Sequence, residues 1–224
     1  MIDIHTHILP GIDDGARNVD EALALISMLK NQGITSAVLT PHYYSHEEVL
    51  SNFLKRRQTA YQSIVNIDFN MVLASETYLS EALFAYDGID ELCIGNTRYL
   101  LLELPDTDKW SINVFRQIHR LIAKYNIKPI IAHAERYDAV RHYKKKIFRE
   151  LVDLGCLLQF NIDSVINRKT RLATIRLMRE GWADFVGSDC HNLSDRPPQF
   201  NTFNKIVKNK LCSTYLEKWD TFSL

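Results

Sequence analysis

Short apolar runs alternate along the chain with longer stretches in which apolar residues recur every three to four positions. A short apolar run predicts a buried strand, and the three-to-four spacing predicts a helix with one face on the core. The predicted strands are Ile2–His5, Ile34–Thr40, Phe69–Ser75, Tyr99–Leu104, Ile127–Ala132, Cys156–Asn161 and Ala183–Ser188. The predicted helices are Val19–Gln32, His46–Ile64, Ile112–Tyr125, Lys144–Leu154 and Lys169–Arg179.

This alternation predicts an α/β protein with a parallel sheet covered by helices, either a doubly wound sheet or a barrel. The residues at the ends of the runs favour a barrel. All runs but Cys156–Asn161 end at one or two candidate metal ligands, which are His5, His7, His42, Glu76, Glu103, His133, Glu135, Asp189 and His191. Because the carboxyl ends of barrel strands meet at one rim, we expect a TIM-like barrel with a metal site there.

The composition is that of an ordinary globular protein, and 224 residues are enough for a single domain spanning 1–224. The 27 basic and 27 acidic side chains give no net charge, and therefore no overall field for a nucleic acid or an anionic membrane. No apolar run approaches the roughly 18 residues of a membrane span, and no secretory leader is recognisable. We expect a cytoplasmic protein with no membrane insertion and no nucleic-acid partner.

The candidate ligands combine histidine nitrogens with carboxylate oxygens, which suits Zn, Mn or Fe. One metal needs three or four of them, so the set predicts two or three divalent ions, with a carboxylate such as Glu76 able to bridge two. His5 and His7 alternate along a strand end and point to the same side. A single histidine or a His-x-His pair is common without a metal, but independent surface residues have no reason to follow successive strands.

The four cysteines are scattered and form no CxxC pair, which predicts neither a disulfide framework nor a zinc knuckle. Cys190 and Arg196 satisfy the C-x5-R outline of the phosphate loop of cysteine-dependent phosphatases. That loop binds phosphate through successive backbone N–H groups and lowers the pKa of the thiol. Here the segment contains no glycine and is followed by two prolines, which argues against such a loop. Cys190 also alternates with Asp189 and His191, so we expect its side chain to point into the barrel wall.

Several motifs occur in order from Met1 to about Pro198: MIDIHTHILPGIDDG, TPH at 40–42, SE at 75–76, LLELP at 101–105, AHAERY at 132–137 and GSDCHNLSDRPP at 187–198. Together they resemble the PHP (polymerase and histidinol phosphatase) superfamily. More narrowly, they are similar to its bacterial protein-tyrosine phosphatase branch, which acts on the tyrosine kinases that control capsule and exopolysaccharide export. The tail after Pro198 matches only loosely, apart from a helical pattern near 201–211.

The resemblance implies a distorted (β/α)7 barrel with three metal ions, usually manganese. For the first metal the implied ligands are His5, His7, Glu76 and Asp189. For the second they are Glu76, Glu103 and His133. For the third they are His42, His191 and one aspartate of the DDG turn, with Asp14 favoured and Asp13 the alternative. The resemblance also places Arg136 and Arg196 at the substrate phosphate, where a planar guanidinium suits phosphate oxygens; a salt bridge at the rim is the other interpretation.

The implied reaction is hydrolysis of phosphotyrosine by direct attack of a metal-bridging hydroxide, with Asp13 as a candidate acid. The implied substrate is a tyrosine-phosphorylated protein, namely the C-terminal tail of a bacterial tyrosine kinase. Two alternatives are a phosphomonoesterase of the histidinol-phosphate type and a non-catalytic metal-containing regulatory protein. A cysteine-dependent phosphatase is a further alternative, and the oligomeric state stays open.

Overall fold

The computed structural model describes residues 1–105 and 110–210, without the side chains of 138–145. The strands are β1 (Ile2–Thr6), β2 (Ser36–Leu39), β3 (His42–Tyr43), β4 (Asn70–Leu73), β5 (Glu76–Tyr78), β6 (Tyr99–Glu103), β7 (Lys128–Ile131), β8 (Leu157–Asn161) and β9 (Phe185–Gly187). The helices are α1 (Val19–Asn31), α2 (Leu50–Gln62), α3 (Ile112–Tyr125), α4 (Asp138–Asp153), α5 (Ile162–Ile166), α6 (Arg171–Arg179) and α7 (Phe200–Lys210).

All strand pairs are parallel, and the strands follow chain order around the molecule. One sheet has the order β1-β2-β4 and the other the order β3-β5-β6-β7-β8-β9. The pairs β2/β3 and β4/β5 each lie along one predicted strand and its continuation, so the strands occupy seven positions. Between β2 and β3 lies Pro41, which has no N–H to donate to a neighbouring strand.

The first and last strands close the ring. Thr6 and Cys190 form a parallel bridge, the N–H of His7 donates to the carbonyl of Cys190 at 2.9 Å, and the N–H of Asp189 donates to the carbonyl of His5 at 2.8 Å. Asp3 adds a buried link, because its carboxylate accepts hydrogen bonds from both the backbone and the hydroxyl of Ser188. The predicted distorted (β/α)7 barrel is therefore confirmed.

Two apolar layers stabilise the barrel. A small cluster fills its interior, with Ile4, Val38, Leu101 and Ile130 among its members. A larger cluster lies between the strands and the helices, which present leucine, isoleucine and phenylalanine side chains to the sheet. Alternate residues of each strand face these two layers, which explains why the strands read as nearly continuous apolar runs.

The predicted strands all lie within two residues of the observed ones or contain them, whereas the helix boundaries differ more. Helix α4 begins at Asp138, six positions before the predicted start at Lys144. Helix α5 was not predicted, because it has only five residues and no amphipathic period. In the part of the chain that the structure describes, no helix combines the length and the apolar character needed to cross a bilayer.

Candidate metal centre

The carboxyl ends of the strands bring all nine predicted ligands to one rim. We call His5, His7, Glu76 and Asp189 the inner group. Glu76, Glu103 and His133 form the middle group, and Asp14, His42 and His191 form the outer group. Ligand atoms lie within 4.8 Å of one another in three overlapping sets, namely His5/His7/Asp189, His42/Glu76/Glu103 and His7/Asp14/His42/His191. His7 and His42 each belong to two sets, so the groups form one continuous cluster.

The inner group is buried and tightly convergent. The Nε2 atoms of His5 and His7 lie 3.2 Å apart, and each lies 3.1–3.2 Å from Glu76 Oε2 and 3.5 Å from Asp189 Oδ1. Their side chains are at most 4% exposed. Two histidine nitrogens and two carboxylate oxygens at one point form a donor set suited to a divalent ion such as Mn, Fe or Zn.

The middle and outer groups lie on either side of Glu76 and His7. Glu76 turns its second oxygen, Oε1, towards His133 Nε2 at 2.9 Å, and Glu103 Oε1 lies 3.9 Å from that nitrogen. Glu76 can therefore contact two ions, one through each oxygen. In the outer group, Asp14 Oδ1 lies 3.5 Å from His42 Nε2 and 3.3 Å from His191 Nε2. The geometry thus favours Asp14 over Asp13 as the third ligand of the outer group.

Asp13 instead lies behind His7. Its Oδ2 accepts hydrogen bonds from His7 Nδ1 at 2.8 Å and from the backbone N–H of His42 at 3.1 Å, while Oδ1 accepts from the N–H of Gly15. Burial raises the pKa of Asp13, but the hydrogen bond and charge of His7 outweigh it and lower the pKa to about 2. An ionised carboxylate in this position suits the orientation of His7 better than the donation of a proton.

The hydrogen bonds of the His7 and His191 imidazole rings indicate where a cation fits. His7 Nδ1 faces the carboxylate of Asp13, and His191 Nδ1 faces the carbonyl of Asp189 at 2.9 Å, so both Nδ1 atoms donate. In the neutral ring, each Nε2 then has its lone pair directed at carboxylate oxygens. His191 Nε2 and Glu103 Oε2 are buried with no hydrogen-bond partner in the structure. Acceptors that face acceptors in a buried cluster must share either protons or a metal ion, and the residues present fit divalent ions.

In the absence of a cation, the cluster holds protons. Burial lowers the pKa of His5 and His7, but the neighbouring carboxylates outweigh it and raise both. Burial and the charge of His7 lower the pKa of His191 to about 4. Burial and the charge of Glu76 raise the pKa of Glu103 to about 7. Protons and metal ions therefore compete for the inner group.

The backbone at the rim is adapted to these side chains. His133 and Asp189 have φ angles of 33° and 54°, a left-handed conformation that costs free energy in residues other than glycine. Two glycines allow close approach to the His-x-His pair. A Cβ atom on Gly187 would lie 2.6 Å from the Cβ of His5, and one on Gly15 would lie 2.1 Å from the carbonyl oxygen of His7.

Arg136 and Arg196 lie beside the inner group, where both contact Asp189. Arg136 Nη1 and Arg196 Nη2 lie 3.0 and 2.7 Å from Asp189 Oδ2, the oxygen not directed at the histidines. Both guanidinium groups are partly exposed and line a cavity of about 360 Å³ together with Glu76, Glu103, His133 and Tyr44. Each arginine therefore forms a salt bridge with Asp189 and also lies at the open side of the cluster.

Two other candidates, Glu135 and Cys190, do not face the cluster as ligands or nucleophiles would. Glu135, considered as a ligand at the end of β7, instead accepts hydrogen bonds from the N–H of Asn161 and the hydroxyl of Ser164. Cys190 is fully buried, and burial raises the pKa of its thiol. A buried neutral thiol does not suit a nucleophile. Cys93 and Cys156 are also buried and free, and Cys212 lies outside the described residues.

Sequence reasoning missed two residues that contact the ligands. Gln159 and Asn161 extend from β8, the one predicted strand without a candidate ligand, to His5 and Asp189. Neutral amides carry no metal-ligand signal in a sequence. The available signal was that Gln159 and Asn161 alternate within an apolar run, which places both polar side chains on one face of the strand.

Solved structures support the barrel. The chain matches the crystal structures of YwqE from Bacillus subtilis and CpsB from Streptococcus pneumoniae, described as unique metal-dependent tyrosine phosphatases, with a TM-score of 0.83 and 23% identity over 96% of this chain and 89% of the other. A phosphotriesterase homology protein from Escherichia coli, solved with phosphate in its active site, matches with a TM-score of 0.54 and 11% identity over 97% and 94% of the two chains. These likenesses show the fold.

Sequence comparison shows the family. The tyrosine-protein phosphatase CpsB of Streptococcus pneumoniae is 31% identical over 94% of this chain and 90% of its own length. The tyrosine-protein phosphatase YwqE of Bacillus subtilis is 26% identical over 88% and 79% of the two chains. The family model described as capsular polysaccharide synthesis, CpsB/CapC, matches residues 1–221. The chain therefore belongs to the CpsB/CapC family.

Proposed function

We propose that this protein is a metal-dependent protein-tyrosine phosphatase that uses two or three divalent ions, with manganese the expected metal and iron or zinc the alternatives. The observation that carries the proposal is the buried convergence of His7 Nε2 and His191 Nε2 with carboxylate oxygens, beside two partly exposed arginines. The phosphatase activity of the named relatives supports the same conclusion.

Different residues have different roles in the proposed reaction. Divalent ions held by the three groups would supply an activated water and neutralise charge on the phosphoryl oxygens. Asp189 Oδ2 holds Arg136 and Arg196 at the cavity, and each guanidinium keeps further N–H donors for phosphate. Tyrosinate, from a phenol with a pKa of about 10, leaves more readily than a serine alkoxide. No covalent enzyme intermediate is needed, which agrees with the burial of Cys190.

The expected substrate is a tyrosine-phosphorylated protein, and within that class the C-terminal tail of a bacterial tyrosine kinase that regulates capsular or exopolysaccharide synthesis. The capsule-related family supports this choice of substrate. A cytoplasmic location and the absence of a nucleic-acid partner stay predictions; the zero net charge supports the second.

Activity against p-nitrophenyl phosphate and a phosphotyrosyl peptide, with and without EDTA, tests the proposal. We expect EDTA to abolish both activities, added Mn²⁺ to restore them, and Cys190→Ser to retain them. Indifference to EDTA together with loss of activity in Cys190→Ser would overturn the metal mechanism. Turnover of histidinol phosphate but not of the peptide would overturn the proposed substrate and leave the metal chemistry in place.

A further inference from the structure

Strand β8 contributes no ligand to the metal centre, yet two of its side chains contact the inner group. Gln159 and Asn161 are buried, at 0% and 2% exposure, and both face the interior of the barrel. Gln159 Oε1 lies 3.1 Å from His5 Nδ1 and accepts the backbone N–H of His133 at 2.8 Å. Gln159 Nε2 donates to Asn161 Oδ1 at 2.8 Å, and Asn161 Nδ2 donates to Asp189 Oδ2 at 2.7 Å.

The backbone N–H of His133 determines which atoms donate and which accept along this chain of hydrogen bonds. A backbone N–H can only donate, so the atom of Gln159 that faces His133 must be the amide oxygen. That oxygen can only accept, so His5 Nδ1 must carry a proton. Once the second proton of the ring has left, the lone pair of His5 is on Nε2, which lies 3.1 Å from Glu76 Oε2 within the inner group.

The same logic continues to the other end. Because Gln159 presents its oxygen to His133, its amide nitrogen must face Asn161, which accepts through its oxygen. Asn161 must then present its amide nitrogen to Asp189 Oδ2, and Asp189 Oδ1 remains directed at His5 and His7. Both the oxygen and the nitrogen of each amide have a partner, and neither amide can rotate by 180° without placing two acceptors or two donors in contact.

We propose that Gln159 and Asn161 are positioning residues that keep the ligand atoms of His5 and Asp189 turned towards the metal. The proposal rests on the proposed metal function and extends it to residues that touch no ion. Hydrogen-bond partners of ligands typically contribute 10–100-fold to metal affinity, because they determine the tautomer and the orientation of each ligand. Gly187 fits this arrangement, since a Cβ atom there would lie 3.0 Å from Gln159 Nε2.

Titration with Mn²⁺, followed by the electron paramagnetic resonance signal of the free ion, tests the proposal. Gln159→Met keeps the length of the side chain but removes the acceptor, and should weaken the tightest Mn²⁺ site about 10–100-fold. Gln159→Glu still accepts from His5 and His133, and should recover part of that affinity. The matched control is Gln117→Met on α3, whose side chain contacts Glu81 on the surface and should leave Mn²⁺ affinity unchanged.

Two further measurements separate positioning from folding. Imidazole ¹⁵N spectra of the metal-free protein, recorded at a pH high enough to keep His5 neutral, should show His5 protonated on Nδ1 in the wild type and a shifted equilibrium in Gln159→Met, whereas a purely structural role would leave the tautomer unchanged. If Gln159→Met does not fold, Asn161→Leu tests the second link, with an expected loss of affinity of about tenfold through Asp189. Wild-type affinity in the folded variants would overturn the inference, whereas failure of the wild type to bind Mn²⁺ would overturn the proposed function.

Discussion

The inner and outer groups use the same types of ligand but hold them very differently. Every inner side chain is at most 4% exposed, and the two inner rings are anchored through Nδ1 by Asp13 and Gln159. In the outer group, Asp14 is 65% exposed and lies on the DDG turn. Its carboxylate lies 3.3–3.5 Å from two histidine nitrogens.

This difference predicts two classes of metal affinity. The inner ligands are already in position, so little conformational freedom is lost when an ion binds. An exposed side chain such as Asp14 loses about 0.5–1.5 kcal/mol of rotamer freedom when it is immobilised. We expect the inner group to bind its ion more tightly and to retain it during purification, and the outer group to exchange its ion readily.

Removal of an inner ligand is the most direct test of the difference between the inner and outer groups. His5→Ala should lower activity by more than about 100-fold, since even the hydrogen-bond partners of ligands contribute 10–100-fold to affinity. Metal analysis of the purified variant should show that the tightest ion is lost, and an excess of Mn²⁺ should not restore activity. Near-normal activity in a folded His5→Ala protein would show that the inner group is not the catalytic centre.

A change of pH should separate the two groups. In the metal-free protein, burial lowers the pKa of His5 and His7 but the neighbouring carboxylates raise both above the usual value, so a proton must leave before a metal binds. Burial and the charge of His7 lower the pKa of His42 and His191, so these rings are neutral at pH 7. Inner affinity should therefore fall as pH falls below neutrality, by about tenfold per unit for each displaced proton.

Mn²⁺ titrations of the wild type between pH 8 and pH 6 would check this. Outer affinity should change less over the same range, because the lowered pKa values of His42 and His191 weaken the competition from protons. Equal pH dependence of the two classes of site would contradict the difference in pKa between the groups.

The smallest expected effect follows from changing the exposed ligand. Asp14→Asn keeps the shape of the side chain but weakens the outer group, and should lower kcat/KM about tenfold with the inner ion still bound. Excess Mn²⁺ should recover part of the loss, in contrast to His5→Ala. Asp20→Asn, an exposed aspartate on α1, is the control. A loss as large as that of His5→Ala would mean that the two groups act as one inseparable unit.

The barrel and the convergence of the candidate ligands could be predicted from the sequence, because both follow from the positions of polar residues at the ends of apolar runs. His5, His42 and Asp189 stand where a strand meets its loop, and a parallel barrel brings such ends together. The family resemblance favours Asp14 over Asp13, but the local sequence pattern cannot make this choice, since it depends on which carboxylate faces His7 Nδ1 across the turn. The DDG pattern alone treats the two residues alike.

Other features depend on packing that no local pattern encodes. Strand β3 was not predicted, because it lies after the apolar run Ile34–Thr40 and has only two residues. Gln159 is a neutral amide, and its importance depends on two N–H groups contributed by β1 and the loop after β7. Contacts between strands that are far apart in the chain could therefore not be predicted from the local sequence pattern.

The pairing of the first strand with the last has a consequence for how the protein matures. Asp3 and Ser188, which join β1 to β9, are 185 residues apart in the chain. During synthesis His5 and His7 leave the ribosome early, and Asp189 becomes available only when most of the chain has emerged. Contacts of such large sequence separation form late in folding. We therefore expect the inner group to acquire an ion only after β1 has joined β9, so that metal uptake would report closure of the barrel.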